Sequence, residues 1–410
     1  MKIYLVGGAV RDNLLKQTVV DKDYMVVGSS VEEMLALGYQ QVGKDFPVFL
    51  HPKTQQEYAL ARTERKTGNG YQGFSCDASK AVTLEDDLLR RDLTINAIAQ
   101  DEQGTLYDPY NGAADIEAKI LRHVSAAFVE DPLRVLRVAR FAARFNHLGF
   151  TIASETLQLM TDIANSGELE HLTPERVWQE CDKALSSQNP QIFFEVLRQC
   201  QALKVLFPEI DSLFGVPQPE KWHPEIDTGI HTLMVLQQTS LLTDNKAVRF
   251  AALVHDVGKA LTPKQDWPKH YGHGQKGLPV IKKMCARIKV PNEYRDLALL
   301  VSDQHQNIHN AFELKAETII KLFDKADLWR KPQRLTDLLT CCHGDIRGRT
   351  GFEQASYPQA EYLQQCYKLA VQVDVQVIIA AGHQGAAIKA ELQLARTLVV
   401  NNFKLQLVKH

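Results

Sequence analysis

The chain has 410 residues, with 47 Lys+Arg against 49 Asp+Glu, giving a formal net charge of −2 at pH 7. Charged residues make up 23% and hydrophobic residues 45%, ordinary globular values that exclude disordered, collagen-like and fibrous classes. At about 150 residues per domain the length allows two to four domains. A nucleic-acid partner would need a local basic face, because the total charge is not basic.

Residues 2–6 read as a short apolar strand, followed by Gly7-Gly8 and a helix starting near Ala9. Residues 24–27 read as a second buried strand ended by Gly28. Further strands of one sheet are predicted over 46–50 and 57–61, with a turn at Pro52-Lys53-Thr54 between them. The glycine-rich stretch 68–73 reads as a mobile loop. After about residue 85 strand patterns fade. Leu133, Leu136, Val138, Phe141 and Phe145 recur at helical spacing, and Trp178, Phe193, Phe194, Leu197 and Leu206 continue a helical core. Pro217, Pro219 and Pro224 mark a linker, so a domain boundary is predicted near 215–225. A histidine-rich helical unit and a mainly helical tail follow.

The seven cysteines are odd in number and contain no CxxC pair, which argues against a disulfide framework or a zinc ribbon. No apolar run approaches the roughly 18 residues of a membrane span, and the N-terminus does not read as a signal peptide. The expected location is the cytoplasm, with no membrane partner.

Four motifs in the first third carry chemistry. Gly7-Gly8 before a helix lets backbone approach a phosphate, and Arg11 adds a charged fork on the first turn. Asp21 and Asp23 are two residues apart at a strand edge and so point the same way. Paired carboxylates of this kind suit Mg²⁺ ions bridging a triphosphate and an attacking hydroxyl. Alone, such a pair reads as two solvated acids; beside the glycine turn it reads as a site. Arg91, Asp92 and Asn96 are predicted within two turns of one helix, where Arg91 can neutralise phosphate. Asp92 and Asn96 can hold a ribose hydroxyl or orient the arginine. Asp131 suits the N-cap of a further helix, with Pro132 at its first position. Arg134, Arg137, Arg140 and Arg144 lie along one stripe of that helix, with Leu136, Val138, Phe141 and Phe145 expected opposite. With few acids nearby in sequence, the arginines are expected to repel one another unless an anion is present.

In this order the four motifs resemble the bacterial class II tRNA nucleotidyltransferases, the CCA-adding enzymes, of the polymerase-β-like superfamily. The resemblance implies an α/β N-terminal nucleotidyltransferase domain followed by mainly α-helical neck, HD and tail domains. The expected boundaries are 1–140 for the head with its nucleotide-binding helix, 141–220, 226–330 and 331–410, the last as a tRNA-binding tail. It implies that Gly7, Gly8 and Arg11 hold the triphosphate and that Asp21 and Asp23 bind Mg²⁺ as the catalytic pair. It further implies that Arg91, Asp92 and Asn96 contact phosphate and ribose. Asp131 and Arg134 would present an amino-acid template to the base, with Arg137 and Arg140 as further nucleotide contacts. The implied partners are the tRNA 3′ end, CTP and ATP, for a monomer or homodimer. The chemical logic of the template stands without the name. C and A share an exocyclic amine beside a ring acceptor, so an Asp accepts from one and an Arg donates to the other.

Beyond the linker, His231 opens one helix, and His255-Asp256 closes another. His and Asp donors together suit a divalent transition metal that activates water. The stretch resembles the HD phosphohydrolases, with His231, His255 and Asp256 as implied metal ligands for Ni²⁺, Co²⁺ or Mn²⁺. Asp303 and Asp345 both remain candidates for the final carboxylate, and His273 and His305 are candidate phosphate or metal contacts. Asp345 to Arg349 reads as a basic turn at an RNA backbone. The fusion resembles HD-containing CCA enzymes of gammaproteobacteria, which implies phosphatase, 2′-nucleotidase and 2′,3′-cyclic phosphodiesterase activity. The rival readings are a bacterial poly(A) polymerase, and an HD phosphohydrolase whose N-terminal domain senses nucleotide.

Overall fold

The computed structural model describes residues 1–19, 21–42, 47–66 and 74–407, which divide into two compact units, Met1–Leu206 and Phe207–His410. In the first, β1 (Lys2–Val6) leads through Gly7 into α1 (Gly8–Leu14). Then come β2 (Asp23–Val27), α2 (Val31–Ala36), β3 (Gln40–Gln41), β4 (Val48–Leu50) and β5 (Glu57–Leu60). A ribbon of β6 (Thr63–Lys66) and β7 (Phe74–Asp77) precedes α3 (Leu84–Leu89), β8 (Ala99–Gln100), β9 (Leu106–Tyr107) and α4 (Gly112–Ala118). The helices α5 (Leu133–Phe145), α6 (Ser154–Asn165), α7 (Pro174–Leu185), α8 (Gln191–Gln199) and α9 (Leu203–Leu206) complete the unit.

Seven strands form one mixed sheet in the order β3-β4-β5-β2-β1-β8-β9. Alternation sends Tyr4 and Val6 to one face with Met25, Leu88 and Ala99, while Val26, Phe49 and Leu60 bury the other face with Met34 from α2. The antiparallel register of β1 and β2 sets Val6 opposite Asp23. That pairing brings the Asp21–Asp23 segment beside the glycine turn. Gly7 is held at φ 64°, and a Cβ there would lie 2.7 Å from Arg91 Nη1. The positive φ favours glycine here, and a side chain would also have to displace the end of Arg91.

The predicted strands at 2–6, 24–27 and 57–61 appear within a residue of expectation. The strand predicted over 46–50 is seen as β4; Phe46 and the stretch 68–73 lie outside the described residues. Two expectations change. The sheet gains β8 and β9 beyond residue 85, each only two residues long and too short for alternation to register. The single helix expected over Arg91, Asp92 and Asn96 is broken: α3 ends at Leu89, and Asn96 lies on a separate 3₁₀ turn, Thr94–Asn96. Asp92 Oδ1 accepts from the backbone N–H of Leu93 at 2.8 Å and the amide of Asn96 at 2.9 Å, a local side-chain pattern that competes with helix. The head boundary at 140/141 falls inside α5, which packs against α7 and α8 as one rod.

The second unit holds α10 (Pro208–Asp211), α11 (Thr228–Leu242), α12 (Lys246–Val254), α13 (His273–Arg287), α14 (Asn292–His309), α15 (Ala316–Lys325), α16 (Gln333–Arg347), α17 (Pro358–Val371), α18 (Val375–Ala380) and α19 (Ala386–Leu407). Helices α11, α12, α14 and α16 pack on one another, α13 covers α14, and α19 packs on α15 and α17. Thus α16 belongs to the histidine-bearing bundle, not to a separate tail beginning at 331. A Cβ on Gly344 of α16 would sit 2.0 Å from Thr239 Oγ1 of α11, so glycine permits this close helix crossing. The expected linker is also part of the unit. Gln218 N–H donates to the Ile226 carbonyl at 2.7 Å, and the Pro217 carbonyl meets His270 Nε2 at 2.8 Å. Prolines suggested a spacer, but their carbonyls still accept hydrogen bonds, and the break between units lies at Leu206/Phe207.

Candidate active sites

In the first unit the glycine turn, the aspartate pair, the segment after α3 and the arginine face of α5 converge on one cleft of about 670 Å³. Its described lining includes Gly7, Gly8, Arg11, Asp21, Asp23, Arg91, Asp92, Asn96, Asp131, Arg134, Arg137 and Arg140, so every site residue predicted for this part of the chain is present. Nine arginines against five aspartates line it, an excess of positive charge that suits a triphosphate.

A buried polar network runs along the cleft wall. Arg11, 3% exposed, donates to Asp12 Oδ1 at 2.8 Å and to Asn96 Oδ1, with its guanidinium 5.1 Å from the ring centroids of both Phe141 and Phe145. Burial lowers the pKa of Arg11 despite the opposing pull of Asp12. Asn96 donates to Asp92, and Arg137 Nε donates to Asp92 Oδ2 at 2.7 Å. Burial alone would raise the Asp92 pKa; Arg137, the Asn96 amide and Arg134 outweigh it and hold the carboxyl well below the usual range. Of the two predicted roles for Asp92 and Asn96, the contacts seen are those that orient arginines. Arg91 donates to the Asn96 carbonyl at 3.2 Å and to Asp87.

The α5 stripe differs from expectation. Arg137, Arg140 and Arg144 pair with Asp92, Glu180 and Asp12, and Arg134 donates to the carbonyls of Ala127 and Arg90. The offsetting acids come from other elements, so the arginines do not depend on a bound anion. Phe141 is not on the opposite face either: Arg140 stacks 4.2 Å from its centroid, and Phe141 lines the cleft. Asp131 accepts from the Leu133 N–H at 3.1 Å, consistent with a capping contact, while its other oxygen takes Arg176 at 2.8 Å. Pro132, not Asp131, is the residue directly preceding the helix. Sequence reasoning missed Arg62, Arg90, Arg176 and Glu180. The last two sit on α7, 45 and 40 residues from their partners Asp131 and Arg140, with no local signal beyond Pro174 starting that helix.

Asp21 and Asp23 are exposed at the cleft edge. Desolvation in the cleft raises the Asp23 pKa, Arg91 opposes it and Asp21 adds to it. An oxygen-only, water-accessible pair fits Mg²⁺, which retains part of its hydration shell.

In the second unit, α11, the end of α12, α13, α14 and α16 bring their histidines and carboxylates together. His231, fully buried, has Nε2 3.0 Å from Asp345 Oδ1 and Nδ1 3.0 Å from Glu225 Oε1. His255 turns Nδ1 to the Ala252 carbonyl at 2.7 Å, and its Nε2 lies 3.1 Å from Asp256 Oδ2. His231, His255 and Asp345 form one buried donor group; Asp256, His273 and His305 form another. Asp345, not Asp303, is therefore the carboxylate beside His231; Asp303 is engaged by Lys325 and Gln275. The expected basic turn at 345–349 is instead the last turn of α16 and its cap at Gly348, with Asp345 buried and Arg347 and Arg349 half-buried. His255 Nε2 and Asp256 Oδ1 are buried without hydrogen-bond partners, the state expected of donors meant for a cation. Burial opposes ionisation of Asp256 and Asp345. His255 and Lys259 outweigh it for the first, as do hydrogen bonds from His231 and His309 for the second, so both stay well below the usual range. Burial pushes His305 down to about 3. Glu225, His223 and His309 were not singled out in the sequence; the first two lie in the stretch read as linker.

No described helix is long and apolar enough to cross a membrane. Residues 3–122 match the family of poly A polymerase head domains, 149–214 the family described as a probable RNA and SrmB-binding site of polymerase A, and 228–333 the HD domain family. Over 409 residues the chain is 86% identical to the multifunctional CCA protein of Shewanella frigidimarina and 71% identical to that of Shewanella denitrificans. Each match spans 100% of this chain and 99% of the relative. Among solved structures, the Bacillus stearothermophilus CCA-adding enzyme in complex with CTP shares the fold at TM-score 0.65 and 24% identity, with coverage of 98% of this chain and 89% of that one. The Thermotoga maritima CCA-adding enzyme complexed with tRNA does so at 0.64 and 20%, with coverage of 98% and 87%. Full-length identity, borne by a chain with both an arginine-lined head cleft and a buried histidine centre, places this protein in the multifunctional CCA protein family.

Proposed function

We propose that the head cleft adds C, C and A to the 3′ end of tRNA from CTP and ATP without a nucleic-acid template. The observation that carries this reading is the convergence of Asp21, Asp23, Arg91, Asp131 and Arg134 on one cleft. The Gly7-Gly8 turn and Arg11 lie where the triphosphate is received, with Arg91, Arg137 and Arg140 balancing its charge. Asp131 accepts from the exocyclic amine of C or A, and Arg134 donates to the ring nitrogen beside it. Arg176 steadies the first and the carbonyls of Ala127 and Arg90 steady the second, so the reading edge is formed before the base arrives. G and U present the opposite pattern and leave both groups unpaired. Asp21 and Asp23 hold Mg²⁺, which when bound lowers the pKa of the attacking hydroxyl and neutralises the leaving pyrophosphate.

We assign the histidine centre to hydrolysis of phosphomonoesters and 2′,3′-cyclic phosphates. His231, His255, Asp256 and Asp345 hold a divalent transition metal that supplies an activated water when bound. Nitrogen donors favour Ni²⁺, Co²⁺ or Mn²⁺ there over Mg²⁺. A tRNA ending in a phosphate cannot be extended until the 3′-hydroxyl is restored, which gives the two activities a common purpose. The head and nucleotide-binding helix take the first role, and residues 228–348 the second. The helices α17–α19 remain as the tRNA-binding tail.

The test is incubation of full-length protein and Mg²⁺ with tRNA lacking its terminal CCA, offering each nucleotide singly and then together. Incorporation of C from CTP, followed by a single A once ATP is added, is expected. A long run of A from ATP alone would establish the poly(A) polymerase reading instead.

A further inference from the structure

Two loops flank the histidine centre, residues 217–227 ahead of α11 and 262–272 ahead of α13, and each carries an exposed aromatic ring. Of the four tryptophans, all among the described residues, Trp222 alone is exposed, at 57%, and Tyr271 on the other loop is 67% exposed. The loops are joined, since His270 Nε2 lies 2.8 Å from the Pro217 carbonyl. The residues beside each ring turn inward. His223, directly after Trp222, has its ring 4.6 Å from that of His231 and its Nδ1 3.1 Å from Glu225 Oε1, which also meets His231 Nδ1 at 3.0 Å. Tyr271 directly follows His270 and stands two residues before His273, both of them buried. Neighbouring Cα atoms are only about 3.8 Å apart, so both rings stand at the edge of the centre.

An indole left in water forgoes the burial that its large apolar surface would gain, and a flat nucleobase can cover it by stacking. The exposed charges nearby suit an anion. Lys221 Nζ lies 4.8 Å from the Trp222 ring centroid, and Lys264 and Lys269 are exposed on the second loop, while Glu220 is the single exposed acid in the two loops. Aromatic faces set among lysines bind nucleotides through stacking and phosphate attraction together. We propose that Trp222 and Tyr271 form a base-binding rim, on which the base of a ribonucleotide stacks while its 2′- or 2′,3′-cyclic phosphate enters the histidine centre. The inference rests on the reading of that centre as a phosphohydrolase, and it names the substrate class as ribonucleotides over phosphomonoesters at large. Stacking tolerates every base, so the rim selects for the presence of a base and not for one base.

The experiment compares adenosine 2′-phosphate with glycerol 2-phosphate, a phosphomonoester without a base, as substrates of the full-length chain with Ni²⁺, Co²⁺ or Mn²⁺. The ratio of their kcat/KM values is expected to fall about 5- to 150-fold in Trp222→Ala, through a rise in KM for the nucleotide. It is expected to fall further when Tyr271→Ala is added, and to stay close to that of the parent in Trp222→Phe, which keeps a flat ring. A ratio unchanged in Trp222→Ala, or lost equally in Trp222→Phe, would overturn the proposal, and a double variant no worse than Trp222→Ala would remove Tyr271 from the rim. Binding is read separately on protein stripped of metal. Adenosine 2′-phosphate is expected to quench tryptophan fluorescence in the parent and markedly less in Trp222→Phe; equal quenching in the two would also overturn the rim. Hydrolysis of neither substrate by the parent would overturn the phosphohydrolase reading itself, and the fluorescence difference would still decide whether a base stacks on Trp222.

Discussion

Both sites pair carboxylates with cationic or metal-binding partners, but they do so in opposite surroundings. The head cleft leaves Asp21 and Asp23 exposed at its rim and buries the Arg11–Asn96–Asp92–Arg137 network in its wall. The second unit buries the donors themselves, with His231, His255, Asp256 and Asp345 all at most 5% exposed. An exposed pair leaves room for the hydration shell of any ion it holds, while the surrounding arginines are held by ion pairs with Asp92, Glu180 and Asp12. A buried set of imidazoles and carboxylates has no water to fall back on, so its geometry would be coupled to any ion it holds. One chain thus carries an arginine-lined cleft with an exposed carboxylate pair, and a packed cage of imidazoles and carboxylates.

The comparison can be broken or sharpened by substitution. The largest expected effect is at the rim. Asp23→Ala should lower addition of both C and A by about three orders of magnitude, the several kcal/mol expected of lost charge stabilisation. Single-turnover rates with Mg²⁺ measure it, and a rate near that of the parent would remove Asp23 from the metal site. Next is base choice. Asp131→Ala should lose about 5- to 150-fold in preference for CTP and ATP over UTP and GTP, equivalent to about 1–3 kcal/mol. A uniform loss of nucleotide affinity with preference intact would make Asp131 only a capping and ion-pairing residue.

A smaller effect belongs to the turn. Gly7→Ala forces a side chain into φ 64° and toward Arg91 Nη1, and should destabilise the first unit by about 1–2 kcal/mol. Denaturant unfolding checks this, and an unchanged midpoint would contradict the turn's preference for glycine. The smallest effect is a pH dependence. The Asp92 carboxyl titrates below its unfolded value of 3.8, so its stabilisation is complete above that pH and is lost as pH falls beneath it. The melting-temperature gap between parent and Asp92→Asn should therefore be constant from pH 7 to 5 and narrow below about pH 4. A gap that widens on acidification would reverse the assigned sign.

The head was more legible in sequence than the histidine centre, for a physical reason. Its parts are short contiguous motifs whose local geometry is set by a glycine turn, a strand edge and one helix face. The strand pairing of Val6 with Asp23 then brings them together. What escaped was whatever depends on packing between distant elements, such as Arg176 and Glu180 of α7. The breaking of the segment after α3 also escaped, because Asp92 bonds its own neighbourhood instead of continuing a helix. In the second unit His231, His255 and Asp256 could be read from an adjacent pair and an earlier histidine. The choice between Asp303 and Asp345 could not. It depends on α16 crossing close over α11, which a glycine at 344 permits, and no local pattern encodes that crossing. The prolines misled because backbone carbonyls, invisible in the sequence, tie residues 217 and 218 into the unit.

The central claim is that one chain carries two chemically independent centres, and one crossed assay tests it most directly. Nucleotide addition to tRNA lacking CCA, and hydrolysis of a 2′,3′-cyclic phosphate, are measured on the same preparations of parent, Asp23→Ala and His255→Ala, with Mg²⁺ and with Ni²⁺, Co²⁺ or Mn²⁺. The account predicts a crossed loss: Asp23→Ala abolishes addition and retains hydrolysis, while His255→Ala abolishes hydrolysis and leaves addition within about twofold, the kind of change expected between sites that share no partners. Loss of both activities in either correctly folded variant, or hydrolysis that survives His255→Ala, would contradict it.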